Sequence, residues 1–276
     1  MRDRLPRREC AHSRACPAPG RNAVNILSGF HDISLAQLLL VAAVAFVASL
    51  LGGVTGYGTG ALMPLVLVPL IGAAPIVPVI AISSLLSNAS RMSAFLSYVD
   101  WRRCLIVVVC ATPPCVLSAW GYAHLSGPGA ALVIGSMLIA SVPLRRLLKH
   151  HGVKCGDTGL ALGSAGYGVI VGGTTGSGVI LLSLLLAAGA GSAGAIATDS
   201  AISIVIGLVK AAVFGFAGVI DARIVAFALL IGIVALPGAF LAKAFVERMP
   251  LHVHTAILDA VVLVGGCFLI YRAFSG

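Results

Sequence analysis

"GGVTGYGTG" (residues 52–60) carries five glycines in nine residues, directly after the apolar run that starts at Leu35. Glycine in a helix interior costs about 0.5–1 kcal/mol relative to alanine. A chain that spends five of them here is breaking a helix. The break has a twin. "GGVTGYG" (52–58) returns as "GGTTGSG" (172–178), 120 residues on, with five of seven positions identical. Each copy follows an apolar run and precedes a shorter one, ALMPLVLVPLIG and VILLSLLLAAG. Further along, SYVDWRR (97–103) corresponds loosely to AGVIDAR (217–223). The chain reads as a tandem duplication with its seam in the basic loop RRLLKHHGVKCGD (145–157).

Composition sets the class. Of 276 residues, 59% are hydrophobic and 10% charged, whereas soluble domains carry about 25% charged residues. Apolar runs of near-spanning length recur to the C-terminus, each able to cross roughly 30 Å of hydrocarbon. The expectation is an all-α polytopic membrane protein of about eight transmembrane helices, built as two repeats with glycine-broken or re-entrant segments. Three regions follow: a basic, disordered extension over 1–33, a first repeat over 34–150 and a second over 157–274. The extension alternatively marks a start codon placed too early.

Helices are expected at 34–52, 59–72, 75–98, 103–124 and 128–147. The second half repeats the pattern at 157–173, 177–189, 192–218, 224–243 and 252–273. The short segments 59–72 and 177–189 read as re-entrant, because apolar runs that short seldom span. Counting basic residues then places both termini in the cytoplasm, with the Asp100–Arg103, 145–157 and Asp221–Arg223 loops. In that arrangement the repeats run parallel, about an axis along the membrane normal. If the short segments span instead, the halves invert and the basic central loop moves outside.

The net charge of +9 comes largely from Arg2, Arg4, Arg7, Arg8, Arg14 and Arg21 and from the loops. That distribution fits membrane orientation, not nucleic-acid binding. Seven cysteines show no CxxC pair or zinc spacing and read as small apolar packing residues. No cofactor motif, metal cluster or catalytic constellation is found, so an enzyme is not expected.

Broken helices at matching positions of two halves point to a transporter's binding site. A restarting helix offers free N–H groups and a positive dipole end, which favour an anion. The expected anion ligands are Gly53, Thr55, Gly56 and Gly58 in the first break, and Gly173, Thr175, Gly176 and Gly178 in the second. The competing reading of these glycines is close helix packing. Two cations complete the set. Arg91 lies nine residues before Asp100, about 13 Å deep, and Lys210 lies eleven before Asp221, about 16 Å deep. Ser87 and Asn88 flank Arg91. Arg91 could instead snorkel to the surface. Asp259 serves as a counter-ion or a proton carrier. Asp199, three turns from Lys210 on the same helix, is a second coupling candidate that does not touch that lysine.

"FVASLLGGVTGYGTGALMPLVLVPL" (46–70), "AISSLLSNASR" (81–91), "VDW" (99–101) and the second glycine run together resemble the TauE/SafE family of sulfite exporters. The resemblance covers about residues 34–273. It implies a duplicated bacterial inner-membrane permease for sulfite, sulfonates or related organic anions. Its expected partners are a small anion and the lipid bilayer, with room for a homo-oligomer and no nucleic acid. Export by alternating access is the main expectation. Uptake, an anion channel and a non-transporting scaffold are the rivals.

Overall fold

The computed structural model describes residues 29–30, 33–55, 58–151, 155–246, 263 and 266–271. Among them the structure is helical throughout. Five helices make the first half: α1 (Leu35–Thr55), α2 (Gly58–Ile71), α3 (Ile76–Ala94), α4 (Trp101–Ala123) and α5 (Gly127–His151). The second half adds α6 (Asp157–Gly172), α7 (Gly178–Ala187), α8 (Ser192–Phe216) and α9 (Ala222–Val246). The ends of these nine helices fall within a few residues of those expected, while most of the helix expected at 252–273 and of the extension expected over 1–33 lies outside the described residues. Asp100 caps α4 by accepting from Arg103 N at 3.0 Å, and Asp221 caps α9 by accepting from Ile224 N at 2.8 Å. Leu35–Gly52, Trp101–Ala123 and Ala193–Phe216 are long and apolar enough to cross a membrane. The protein is a polytopic membrane protein.

Side-chain contacts fix which helix ends share a face. On one face, Asp100 N donates to Thr198 Oγ1 (2.9 Å), and Arg102 pairs with Asp157 (2.5 Å). There too, Cys155 N donates to Ala187 O at 3.0 Å. The starts of α4, α6 and α8 and the end of α7 therefore lie together. On the opposite face, Tyr122 at the end of α4 donates to Ala73 O (2.9 Å), and its ring lies 6.1 Å from that of Phe214 near the end of α8. Phe30, just before α1, packs its ring 5.3 Å from that of Phe227 at the start of α9.

Two hairpins follow. α6 and α7 enter from the Asp100 face and return to it, while α1 and α2 enter from the Tyr122 face and return there. Their tips meet inside the bundle. A methyl group on Gly60 would lie 2.6 Å from the backbone nitrogen of Gly176. Gly176 itself has φ +77°, a left-handed conformation that glycine alone adopts without strain.

Two expectations are corrected here. The short segments return beside the helices that precede them, and the two halves are inverted rather than parallel, related by a pseudo-two-fold axis that exchanges the two faces of the bundle. The Asp100–Arg103 and Asp221–Arg223 loops do not share a side, and the N-terminal turn at Gly29–Phe30 lies with Asp221. The physical reason is that α1 and α6, counted as single crossings, each pair with the short helix that follows, so that both ends of each hairpin lie on one face of the bundle.

Helix packing exchanges under the same inversion. α1 packs along α9 and α4 along α6, while α3 and α8 cross each other centrally, α3 also packing on α9 and α8 on α4. Small residues allow the approach. Cβ atoms on Gly168 and Gly172 would collide with the α4 backbone at Ala111 and Cys115, and one on Gly238 would collide with Ser49 of α1. Two apolar clusters result. One gathers α1, α2, α5, α9 and the start of α3, and the other α4, α6, α7 and the start of α8.

Candidate functional site

A cavity of about 120 Å³ opens between the hairpin tips. One water molecule needs roughly 10–15 Å³ by this measure, and a cavity near 150 Å³ takes benzene. The space therefore suits an ion of a few heavy atoms. Gly58, Thr59 and Gly60 line it from the first hairpin and Thr174–Gly178 from the second. Ser84, Ser87, Asn88 and Arg91 of α3 and Ser203 and Lys210 of α8 close its sides.

Both cations point inward and are buried, so Arg91 does not snorkel. Arg91 Nε donates to Ser200 Oγ (2.7 Å) and Nη1 to Gly52 O (3.0 Å). Nη2 donates to Asn88 Oδ1 and, at 3.3 Å, to Asp199 Oδ2. Lys210 Nζ donates to Val171 O (2.7 Å) and Thr174 O (3.0 Å). These contacts have one logic. A broken helix leaves its last carbonyls without intrahelical donors, which lipid cannot tolerate. Each half sends a cation from its third helix to the carbonyl end of its own broken helix, where the dipole is negative.

The equivalence ends at charge. Arg91 meets a carboxylate. Among the described residues no acidic side chain pairs with Lys210. An ammonium has three donors, and the two carbonyls occupy two of them. Beside it α7 begins at Gly178 with no side-chain cap, the Ser177 hydroxyl making no such bond. Thr175, 4% exposed, has a hydroxyl without a partner. A buried cation, a helix N-terminus and an unused hydroxyl thus converge on one cavity.

Of the residues expected from sequence, Gly58, Ser87, Asn88, Arg91, Thr175, Gly176, Gly178 and Lys210 line the cavity. Gly173 does not: it packs toward Ser118 and Tyr122 of α4. Its place in the break made it a candidate, but the chain has not yet turned toward the cavity there. Only the backbone helix is described for Gly53 and Thr55, and Gly56 and Asp259 lie outside the described residues. Asp199 stands behind Arg91 on the wall, with its Oδ1 unpartnered. Ser200 and Tyr167 stand out in sequence as a polar and an aromatic residue near the breaks without being assigned to the site, while the carbonyl acceptors Gly52, Val171 and Thr174 were missed.

A family profile described as sulfite exporter TauE/SafE matches residues 41–269. No curated protein and no solved structure matches significantly. The chain belongs to the TauE/SafE sulfite exporter family, and is a membrane protein of anion-transporter type.

Proposed function

We propose that this TauE/SafE member is a secondary transporter that exports a small oxoanion such as sulfite or a short sulfonate. The observation that carries the reading is Lys210: a buried ammonium on a cavity wall with no carboxylate partner among the described residues. A buried charge without a partner is costly. An anion in the cavity would supply the missing charge, held by Lys210, the Thr175 hydroxyl and the N–H groups that open α7. Inverted repeats with broken helices support alternating access about a central site. The close contact of Gly60 with Gly176, where the hairpin tips meet, supports a carrier over a channel.

Direction follows from the membrane potential. With a negative interior, each exported negative charge gains roughly 2.3 kcal/mol per 100 mV. Orientation follows from basic residues. Arg102, Arg103, Arg145, Arg146 and Lys149 belong to the Asp100 end, which supports reading that face as the cytoplasmic one of a bacterial inner membrane. The α1–α2 hairpin then opens to the outside.

The test is counterflow in proteoliposomes loaded with sulfite, with methanesulfonate or with sulfate. Wild type should exchange at least one of them. Lys210→Met should lower that exchange by about ten-fold or more, one buried charge contact exceeding a ten-fold effect. Flux without counterflow would indicate a channel. No flux above empty vesicles would end the transport reading.

A further inference from the structure

We infer that Asp199 sets the charge of the ion this protein carries, tuning the site for a singly charged anion. The inference rests on the transport reading above and adds a specificity-determining residue to it. Among the described residues, the buried charged side chains are Arg91, Asp199 and Lys210. The helix ends at the cavity contribute no net charge. The carbonyl ends of α1 and α6 count about −0.5 each, and the amide ends of α2 and α7 about +0.5 each. Two cations and one carboxylate leave one positive charge, which one monovalent anion balances.

The geometry assigns the roles. Asp199 Oδ2 lies 3.3 Å from Arg91 Nη2, and Arg91 spends three more of its five N–H donors on Ser200, Gly52 and Asn88. Arg91 is thereby neutralised inside the wall and joins α3 to α8 across the pseudo-two-fold axis. Lys210 remains to attract the substrate. Asp199 does not line the cavity and does not contact the ion, so it acts through Arg91 and the local potential. Among side chains this deeply buried that potential is weakly screened, and one unit of charge decides between ions.

The experiment compares methanesulfonate, which carries one charge, with sulfate, which carries two. Flux of each is measured in proteoliposomes at one pH and ionic strength. Wild type should favour methanesulfonate. Asp199→Asn keeps the shape and raises the site to two positive charges. Its sulfate-to-methanesulfonate flux ratio should rise by about ten-fold or more, while Asp199→Glu stays near the wild-type ratio. Asn88→Asp provides a second arm that keeps the Asp199 carboxylate in the protein. It places another carboxylate oxygen where Arg91 already donates, brings the site to zero, and should lower methanesulfonate flux about ten-fold. A folded, active Asp199→Asn protein with an unchanged ratio would overturn the inference. If Asp199→Asn does not reconstitute, an undiminished methanesulfonate flux in Asn88→Asp would overturn it equally. Wild-type protein that moves neither ion nor sulfite would instead remove the transport reading beneath it.

Discussion

Lys210 and Arg91 are alike in what they hold and different in what they leave over. Each meets carbonyls freed by a broken helix, so each would be kept for structure alone. Lys210 keeps a donor for a guest and, among the described residues, lacks the carboxylate that neutralises Arg91. The glycines divide in the same way. Gly60→Ala would press a methyl group onto Gly176 N at 2.6 Å, backbone against backbone, where nothing can yield. The expected cost is about 1–3 kcal/mol of overpacking, read as a lower melting temperature in detergent, with loss of flux because the tips part. Gly166→Ala is the contrast. It sits in mid-α6 with nothing within 4 Å of the added methyl, so helix propensity should give a gain of about 0.5–1 kcal/mol with flux intact. Thr175→Val removes the unpartnered hydroxyl while keeping its shape. It should leave melting unchanged, or raise it, because a buried polar atom without a partner disappears. Weaker apparent affinity for the anion, measured as a raised half-saturation in counterflow, is the expected functional cost.

The elements make a topological prediction that separates the inverted arrangement from the parallel one. Single cysteines are placed in a cysteine-free background at Asp100, at Gly191, at Ser126 and at Asp221. A membrane-impermeant thiol reagent should label the first two from one side and the last two from the other. Labelling of Asp100 and Asp221 positions from the same side would restore parallel repeats. Sequence could place the breaks because glycine density and the 120-residue echo mark them directly. It could place helix ends because caps such as Asp100 are local. It could not place the turn-back. An 18-residue apolar stretch such as Leu35–Gly52 reads the same whether it exits the membrane or bends home inside protein. The short loops at Asp100–Arg103 and Asp221–Arg223 each mix acid with base, so counting charges on them could not reveal that they lie on opposite sides. The Arg91–Asp199 contact was equally hidden. It joins residues 108 apart on helices whose crossing depends on the inversion itself. Neighbours in sequence suggested only Asp199 with Lys210, which share a helix without touching.

At the scale of the whole molecule, the inversion has a structural consequence for how the protein can move. A duplicated chain invites the picture of two halves rocking against each other. Here each half surrenders a helix to the other: α9 of the second half lies along α1 of the first, and α4 of the first lies along α6 of the second. The apolar clusters follow this exchange and not the seam at 145–157. The bodies that can shift are accordingly a hairpin with its borrowed helix, α1–α2 with α9 against α6–α7 with α4. The crossed pair α3 and α8 bridges them, and the Gly60–Gly176 contact is where they meet. Lipid is as apolar as the lost partner helix, so separating the halves loses packing and polar partners more than hydrophobic burial. Arg91 would lose Ser200 and Asp199, and Asp199 would keep a buried charge with no cation. Residues 1–152 or 153–276 expressed alone should therefore give no protein that survives detergent with a cooperative melt. Co-expressed, the two pieces should copurify through a tag on either one and recover counterflow. A first half that folds and melts cooperatively by itself would mean that the repeats are independent units, and the exchanged helices would then be a contact made late rather than the frame on which the two hairpins swing.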